Sequence, residues 1–153
     1  LSKGSLYWHF DSKEEVFLAL FDAFALELYG QWDVVEKDLE DPLDVLRREV
    51  EVAIETLSRD RELLLAWAEF LTHPVARERM AELYVLGRQR LGAIAQRGLD
   101  MGRLAPGPDP EAVAATLVAS VEGLLLQFMM DPSFELRRHF EASWTLLSRG
   151  LRP

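Results

Sequence analysis

Proline punctuates this chain at helix-length intervals, and that spacing limits what it can fold into more than any other feature. Asp41-Pro42, Pro74, Asp109-Pro110 and Asp131-Pro132 divide it into segments whose apolar residues recur at helical rather than alternating spacing. In an Asp-Pro pair the carboxylate accepts from the orphan N–H groups of the first turn, and proline sits where its missing N–H costs nothing. No Val/Ile/Thr alternation bounded by hairpin turns interrupts the pattern. The chain reads as all-α, a multi-helix protein.

The segments can be read one by one. Ser12 with Glu15 forms a capping box that opens a helix through Phe17, Leu18, Phe21, Phe24 and Leu28, fading near Asp38. Asp41-Pro42 opens the next, with Leu43, Leu46, Val50, Ala53, Ile54 and Leu57 on its stripe. Across residues 61–72, Leu63, Leu64, Leu65, Trp67, Phe70 and Leu71 surround the helix almost completely, which predicts a helix buried in the middle of the domain. Pro74 starts a long helix reaching about Arg103, with Met80, Leu83, Tyr84, Leu91 and Ile94 inward and Arg77, Arg79, Arg88 and Arg90 mostly off that stripe. Gly102 and the Pro/Gly run at 105–108 end it. A last helix is predicted over residues 134–149, its stripe being Leu136, Phe140, Trp144 and Leu147.

The helix from Asp109 to Met130 is apolar enough to raise a membrane question. Glu122 and Gln127 lie within it and its apolar length barely reaches a bilayer span, so it reads as a buried or interface helix. It has two apolar faces: Val113, Leu117, Val121, Leu124 and Phe128 on one, and Val118, Leu125 and Met129 with Glu122 on the other. One face serves the core and the other calls for a partner. Pairing of the two C-terminal helices with a symmetric copy predicts a homodimer through Val121, Leu124, Phe128, Phe140, Trp144 and Leu147.

Charge and composition narrow the function. The net charge of -9 argues against a protein coated with nucleic acid. Residues 1–13, however, carry a balance of +1 and the rest of the chain -10, which confines any DNA contact to the N-terminal edge. The absence of cysteine removes disulfides, thiolate metal sites and a Cys nucleophile, and fits a reducing cytoplasm. There is no Gly-rich phosphate loop, no Gly-x-Ser-x-Gly and no His-Glu-x-x-His, so no catalytic residue, metal or cofactor is expected. His9, His73 and His139 show no Glu-x-x-His pair, against a di-iron bundle, and His73 is expected to cap or pack.

The first thirteen residues admit two readings. Leu6 and Phe10 form an inward stripe while Lys3, Gly4, Tyr7 and Trp8 point away from it, and Lys13 puts a cation where the helix dipole disfavours one. A docked phosphate resolves that conflict, and Lys3 can then reach a base edge or the backbone. In the other reading Tyr7, Trp8 and His9 pack and Lys13 is solvated.

The run Leu-Ser-Lys-Gly-Ser-Leu-Tyr-Trp-His-Phe-Asp-Ser-Lys-Glu-Glu-Val-Phe-Leu-Ala-Leu-Phe over residues 1–21 closely resembles the end of the DNA-binding domain in the TetR/AcrR (tetracycline-repressor-like) family. The match rests on Leu-Tyr-x-His-Phe at Leu6 to Phe10 and on Ser12-Lys13 after a short turn; the run from Val121 to Pro132 looks like a segment common near the C-terminus of many members. The resemblance implies an N-terminally truncated chain that starts in the recognition helix. Residues 1–38 would be the end of a helix-turn-helix domain and its connecting helix, and residues 39–153 a helical ligand-binding and dimerisation domain.

It further implies that Ser2, Lys3, Gly4 and Ser5 approach bases, and that Tyr7, Trp8, His9 and Lys13 hold phosphates and neighbouring groups of operator DNA. The implied function is a cytoplasmic transcriptional regulator, a repressor released by a small-molecule effector. A helical small-molecule-binding dimer without DNA binding is the alternative. For the effector pocket the aromatic and Met surface selects Trp67, Phe70, Met80 and Tyr84, and Glu122 is the carboxylate that must find a partner there.

Overall fold

The computed structural model describes residue 10 and residues 12–38 and 40–153, and it orders them as six α-helices: α1 (Lys13–Asp38), α2 (Pro42–Leu57), α3 (Arg61–Phe70), α4 (Pro74–Asp100), α5 (Pro110–Met130) and α6 (Leu136–Leu151). Among the described residues there is no strand. Residues 1–9 of the expected recognition helix lie outside the described residues, and each of the other expected helices is present. Its ends differ from the sequence reading by a few residues, with α3 stopping at Phe70, α4 at Asp100 and α6 running from Leu136 to Leu151.

Local chemistry explains the starts. Asp41 Oδ1 accepts from the Leu43 N–H at 2.9 Å, Asp60 Oδ1 from Leu63 at 3.0 Å and Asp109 Oδ2 from Ala112 at 3.2 Å. Ser12 Oγ accepts from the Glu15 N–H at 3.1 Å, the Ser half of the expected capping box.

The end of α4 is equally specific. Gly102 adopts φ 64°, its N–H donates to Leu99 O at 3.0 Å, and the Arg103 N–H reaches back to Gly98 O at 2.8 Å. These are the two bonds of a Schellman stop, which only a residue tolerant of positive φ closes without strain. The reversal lays Leu104 onto Gly98, where an added Cβ would stand 2.7 Å from Leu104 Cδ1 and Cγ and 3.2 Å from the Cβ of Pro42. Gly98→Ala is therefore expected to destabilise the protein by about 1–3 kcal/mol through overpacking. Gly87, in the same helix, meets nothing within 4 Å. Gly87→Ala is expected to stabilise by about 0.5–1 kcal/mol from helix propensity alone. Thermal unfolding of the two variants checks the pair, and equal melting points would contradict the packing of Leu104.

The main core joins α2, α4, α5 and α6, with Val45 and Leu46 fully enclosed among Leu91, Ile94, Leu117, Leu124, Phe140 and Trp144. Helix α5 is its axis, packing on α2, α3, α4 and α6. Its expected inward stripe is observed: Val113, Leu117, Val121 and Leu124 are buried and Phe128 is partly so. Although α5 is long and apolar enough by composition to cross a membrane, its sides pack on four other helices. A second, aromatic cluster of Phe17, Phe21, Ala25, Trp67 and Ala76 joins α1 to α3 and the start of α4, and Phe24 packs against both clusters.

Two expectations are corrected. Helix α3 is not enclosed: among its residues Trp67 alone is buried, while Leu63 remains 44% exposed and Leu65 is exposed too. Its neighbours cover one face, and part of that face borders a cavity rather than packed protein. Val121, Leu124, Phe140 and Trp144, expected at a dimer interface, are buried in the chain's own core, and Phe128 and Leu147 pack against it. A stripe that fills its own core cannot also face outward; the exposed apolar residues of α5 and α6 are Leu126, Met130 and Leu146.

Candidate functional site

Helices α1 to α5 leave between them a cavity of about 490 Å³. Space of this size accommodates a drug-sized molecule. Each wall follows from one helical stripe: Phe24 and Leu28 from α1, Val50 and Ala53 from α2, Leu64 and Trp67 from α3, Met80, Tyr84 and Gly87 from α4, and Val118, Glu122, Leu125 and Met129 from α5. The second apolar face of α5 thus lines a cavity. Gly87 contributes by absence, since nothing lies within 4 Å of where its Cβ would project.

The lining is largely apolar with a few placed polar groups. Arg90 of α4 directs Nε and Nη2 onto Oε1 of Glu49 of α2, at 3.0 and 2.7 Å. Glu49 is only 3% exposed, so the pair is a charge-assisted bond held largely away from water. Across the cavity Tyr84 and Glu122 stand near one another on the wall. Burial pushes the Tyr84 phenol above its ordinary range, and the nearby Glu122 carboxylate pushes it further. Glu122 is exposed and lines the wall, so its expected enclosure among Val118, Leu125 and Met129 is not observed.

Of the five residues expected at a pocket, Trp67, Met80, Tyr84 and Glu122 share this cavity. Phe70 does not line it. Its ring stacks on Phe17 at 3.7 Å and on His73 at 5.1 Å, because its side of α3 turns toward α1. His73 packs there as the residue before Pro74, without a side-chain cap bond, and its Nε2 pairs with Glu14 Oε1 at 2.8 Å. Trp67 stands between the two regions: it lines the cavity, and it meets the rings of Phe17, Phe21 and Phe24 at 5.5, 4.9 and 5.2 Å.

Glu49 and Arg90 were not among the expected pocket residues, although a signal for them exists. Glu49 falls within the stripe of Leu46, Val50 and Ala53, and Arg90, expected off the inward stripe of its helix, borders it beside Leu83, Gly87 and Leu91. A carboxylate and a guanidinium on the inward faces of two helices that must pack together point to a buried pair. Of the residues expected to touch DNA, Lys13 is exposed at the first position of α1. Ser2, Lys3, Gly4, Ser5, Tyr7, Trp8 and His9 lie outside the described residues.

Residues 42–149 match the family described as BetI-type transcriptional repressor, C-terminal, and residues 1–20 match bacterial regulatory proteins, tetR family. No curated protein matches the chain by sequence. Among solved structures, a complex of SmeT with triclosan is 25% identical over 99% of this chain and 77% of its own, with a TM-score of 0.79. SmeT itself, the repressor of the Stenotrophomonas maltophilia multidrug efflux pump SmeDEF, aligns at 25% identity over 99% of this chain and 75% of its own, with a TM-score of 0.76. The ketosteroid transcriptional regulator KstR2 of Mycobacterium tuberculosis shares the fold at 17% identity, covering 100% of this chain and 80% of its own, with a TM-score of 0.76.

Proposed function

Because this chain belongs to the tetR family of bacterial regulatory proteins, we propose that it is a cytoplasmic transcriptional repressor, not an enzyme, whose grip on operator DNA is released by a small molecule in the cavity. The observation that carries this reading is the cavity itself, because α1 supplies part of its wall through Phe24 and Leu28. Helix α1 also follows directly on the segment that matches the family's DNA-binding region. An occupant that displaces Phe24 or Leu28 therefore acts on the element that carries the DNA-reading segment. It shifts the equilibrium only as far as it binds the two positions of α1 unequally. The structures of SmeT, one of them with triclosan, support a small molecule as the signal.

The division of labour follows from this reading. Residues 1–38 hold the end of the DNA-binding domain and the connecting helix, and residues 39–153 bind effector and partner. Ser2, Lys3, Gly4 and Ser5 approach bases, and Tyr7, Trp8, His9 and Lys13 hold the backbone. To test this, duplexes are selected from a random-sequence pool by the protein and their affinity is read by fluorescence anisotropy across salt concentrations. Lys13→Ala is expected to weaken every duplex alike and to reduce the salt slope by about one. Failure to enrich any duplex over non-specific binding would overturn the repressor reading in favour of a ligand-binding dimer without DNA function.

A homodimer is part of the same proposal, with its surface reassigned. Met130 and Leu146 are 66% and 71% exposed on the two C-terminal helices, large apolar side chains that a second copy would cover. The double variant Met130→Glu with Leu146→Glu is expected to sediment as a monomer at micromolar concentration, with unchanged helicity. A dimer that survives both charges would place the interface elsewhere.

A further inference from the structure

Resting on the reading of the cavity as the effector site, we infer that the effector is a hydrophobic cation. Three charged residues line the cavity, Glu49, Arg90 and Glu122. Arg90 directs its Nε and Nη2 onto Glu49, so its positive charge is answered inside the wall. Among the described residues, Glu122 stands in ion-pair contact with no Lys, Arg or His, and the side chain near it on the wall is Tyr84. The lining therefore carries one negative charge in excess.

That excess decides between classes of occupant. An anion entering the cavity meets the Glu122 carboxylate, while the guanidinium that could receive it is engaged with Glu49. A neutral apolar molecule displaces water from around Glu122 and gives nothing back for the lost hydration. A cation answers the charge directly, in surroundings where water screens it less than in bulk. The other groups suit the same guest: Phe24, Trp67 and Tyr84 contribute aromatic side chains, a residue type that attracts cations, and Leu64, Met80, Leu125 and Met129 contribute apolar surface for its body. The cavity volume of about 490 Å³ leaves room for several rings around one central charge.

Tetraphenylphosphonium and tetraphenylborate separate charge from size, since they share shape and apolar surface and differ in sign. Binding of each to the full chain is measured by isothermal titration calorimetry, with release of a selected duplex followed by anisotropy. Tetraphenylphosphonium is expected to bind the tighter and to release the duplex. Glu122→Gln is expected to weaken it about threefold, the size of the loss of one partly screened charge pair. Glu122→Lys is expected to reverse the preference; because Glu122 is exposed, neither change should unfold the protein. Gly87→Phe, which fills the cavity from a helix position with free space at its Cβ, is expected to abolish binding of both ions. Equal or tighter binding of tetraphenylborate, still blocked by Gly87→Phe, would overturn the cationic class and leave the cavity as the effector site. Binding of tetraphenylphosphonium that Gly87→Phe does not alter, or binding of neither ion, would overturn the inference, and the first of these would remove the cavity from the effector reading as well.

Discussion

Trp67→Ala is expected to cost about 3–5 kcal/mol of folding stability, the range for truncating a large buried aromatic side chain. The indole is the one buried side chain of α3, and the rings of Phe17, Phe21 and Phe24 lie against it at 4.9 to 5.5 Å. Its removal opens a void between α1 and α3 next to an existing cavity, so neighbouring atoms have little from which to close the gap. Denaturant unfolding is expected to show a lower midpoint at unchanged slope. Trp67→Phe keeps a ring in the cluster and is expected to lose markedly less.

The functional consequence is larger than the stability one. Because Trp67 touches the cavity with one side and the α1 rings with the other, a variant without it should still bind an effector while its duplex affinity no longer responds. The ratio of duplex affinities with and without effector is then expected to fall toward one, the signature of lost coupling. A stability loss under about 1 kcal/mol, the size of an ordinary substitution, would show that the aromatic joint is not packed as described.

Arg90→Met carries the second large effect. It leaves the Glu49 carboxylate, 3% exposed, without the guanidinium that holds it at 2.7 and 3.0 Å. Breaking one partner of a buried pair typically costs about 3–5 kcal/mol, because the remaining charge keeps its desolvation penalty. Replacing both, Glu49→Leu with Arg90→Met, removes penalty and attraction together and is expected to restore stability to near that of the parent. The double-mutant cycle from chemical denaturation isolates the coupling. Additive single effects would show that the two side chains do not depend on one another.

These two residues also mark how far the sequence could be read. The helices were legible because their signals are local: Asp41 and Asp109 cap as their Asp-Pro steps predict, and Gly102 stops α4 through its own backbone freedom. Trp67, Met80, Tyr84 and Glu122 were legible as pocket residues because aromatic and Met surface with a lone carboxylate on inward stripes suits a binding cavity. Phe70 was misplaced for the same reason. Its residue type fits a pocket, but its position on α3 turns it toward Phe17 and His73.

The dimer surface was misread by a related step. Val121, Leu124, Phe140 and Trp144 have the composition of an interface and the burial of a core. Periodicity identifies an apolar stripe, yet an apolar stripe is stabilised equally by its own chain or by another copy. The packing partner has to be seen.

The sequence by itself therefore determined the helical class, the helix boundaries to within a few residues, the acidic body and the likeness of residues 1–21 to a DNA-binding end, because each depends on neighbours along the chain. Only the tertiary structure decided which faces meet. It placed the second face of α5 on a cavity, paired Glu49 with Arg90 across two helices, and set Trp67 between the cavity and α1. Those outcomes depend on how helix stripes distant in sequence are brought together, and no residue's local surroundings along the chain encode that distance.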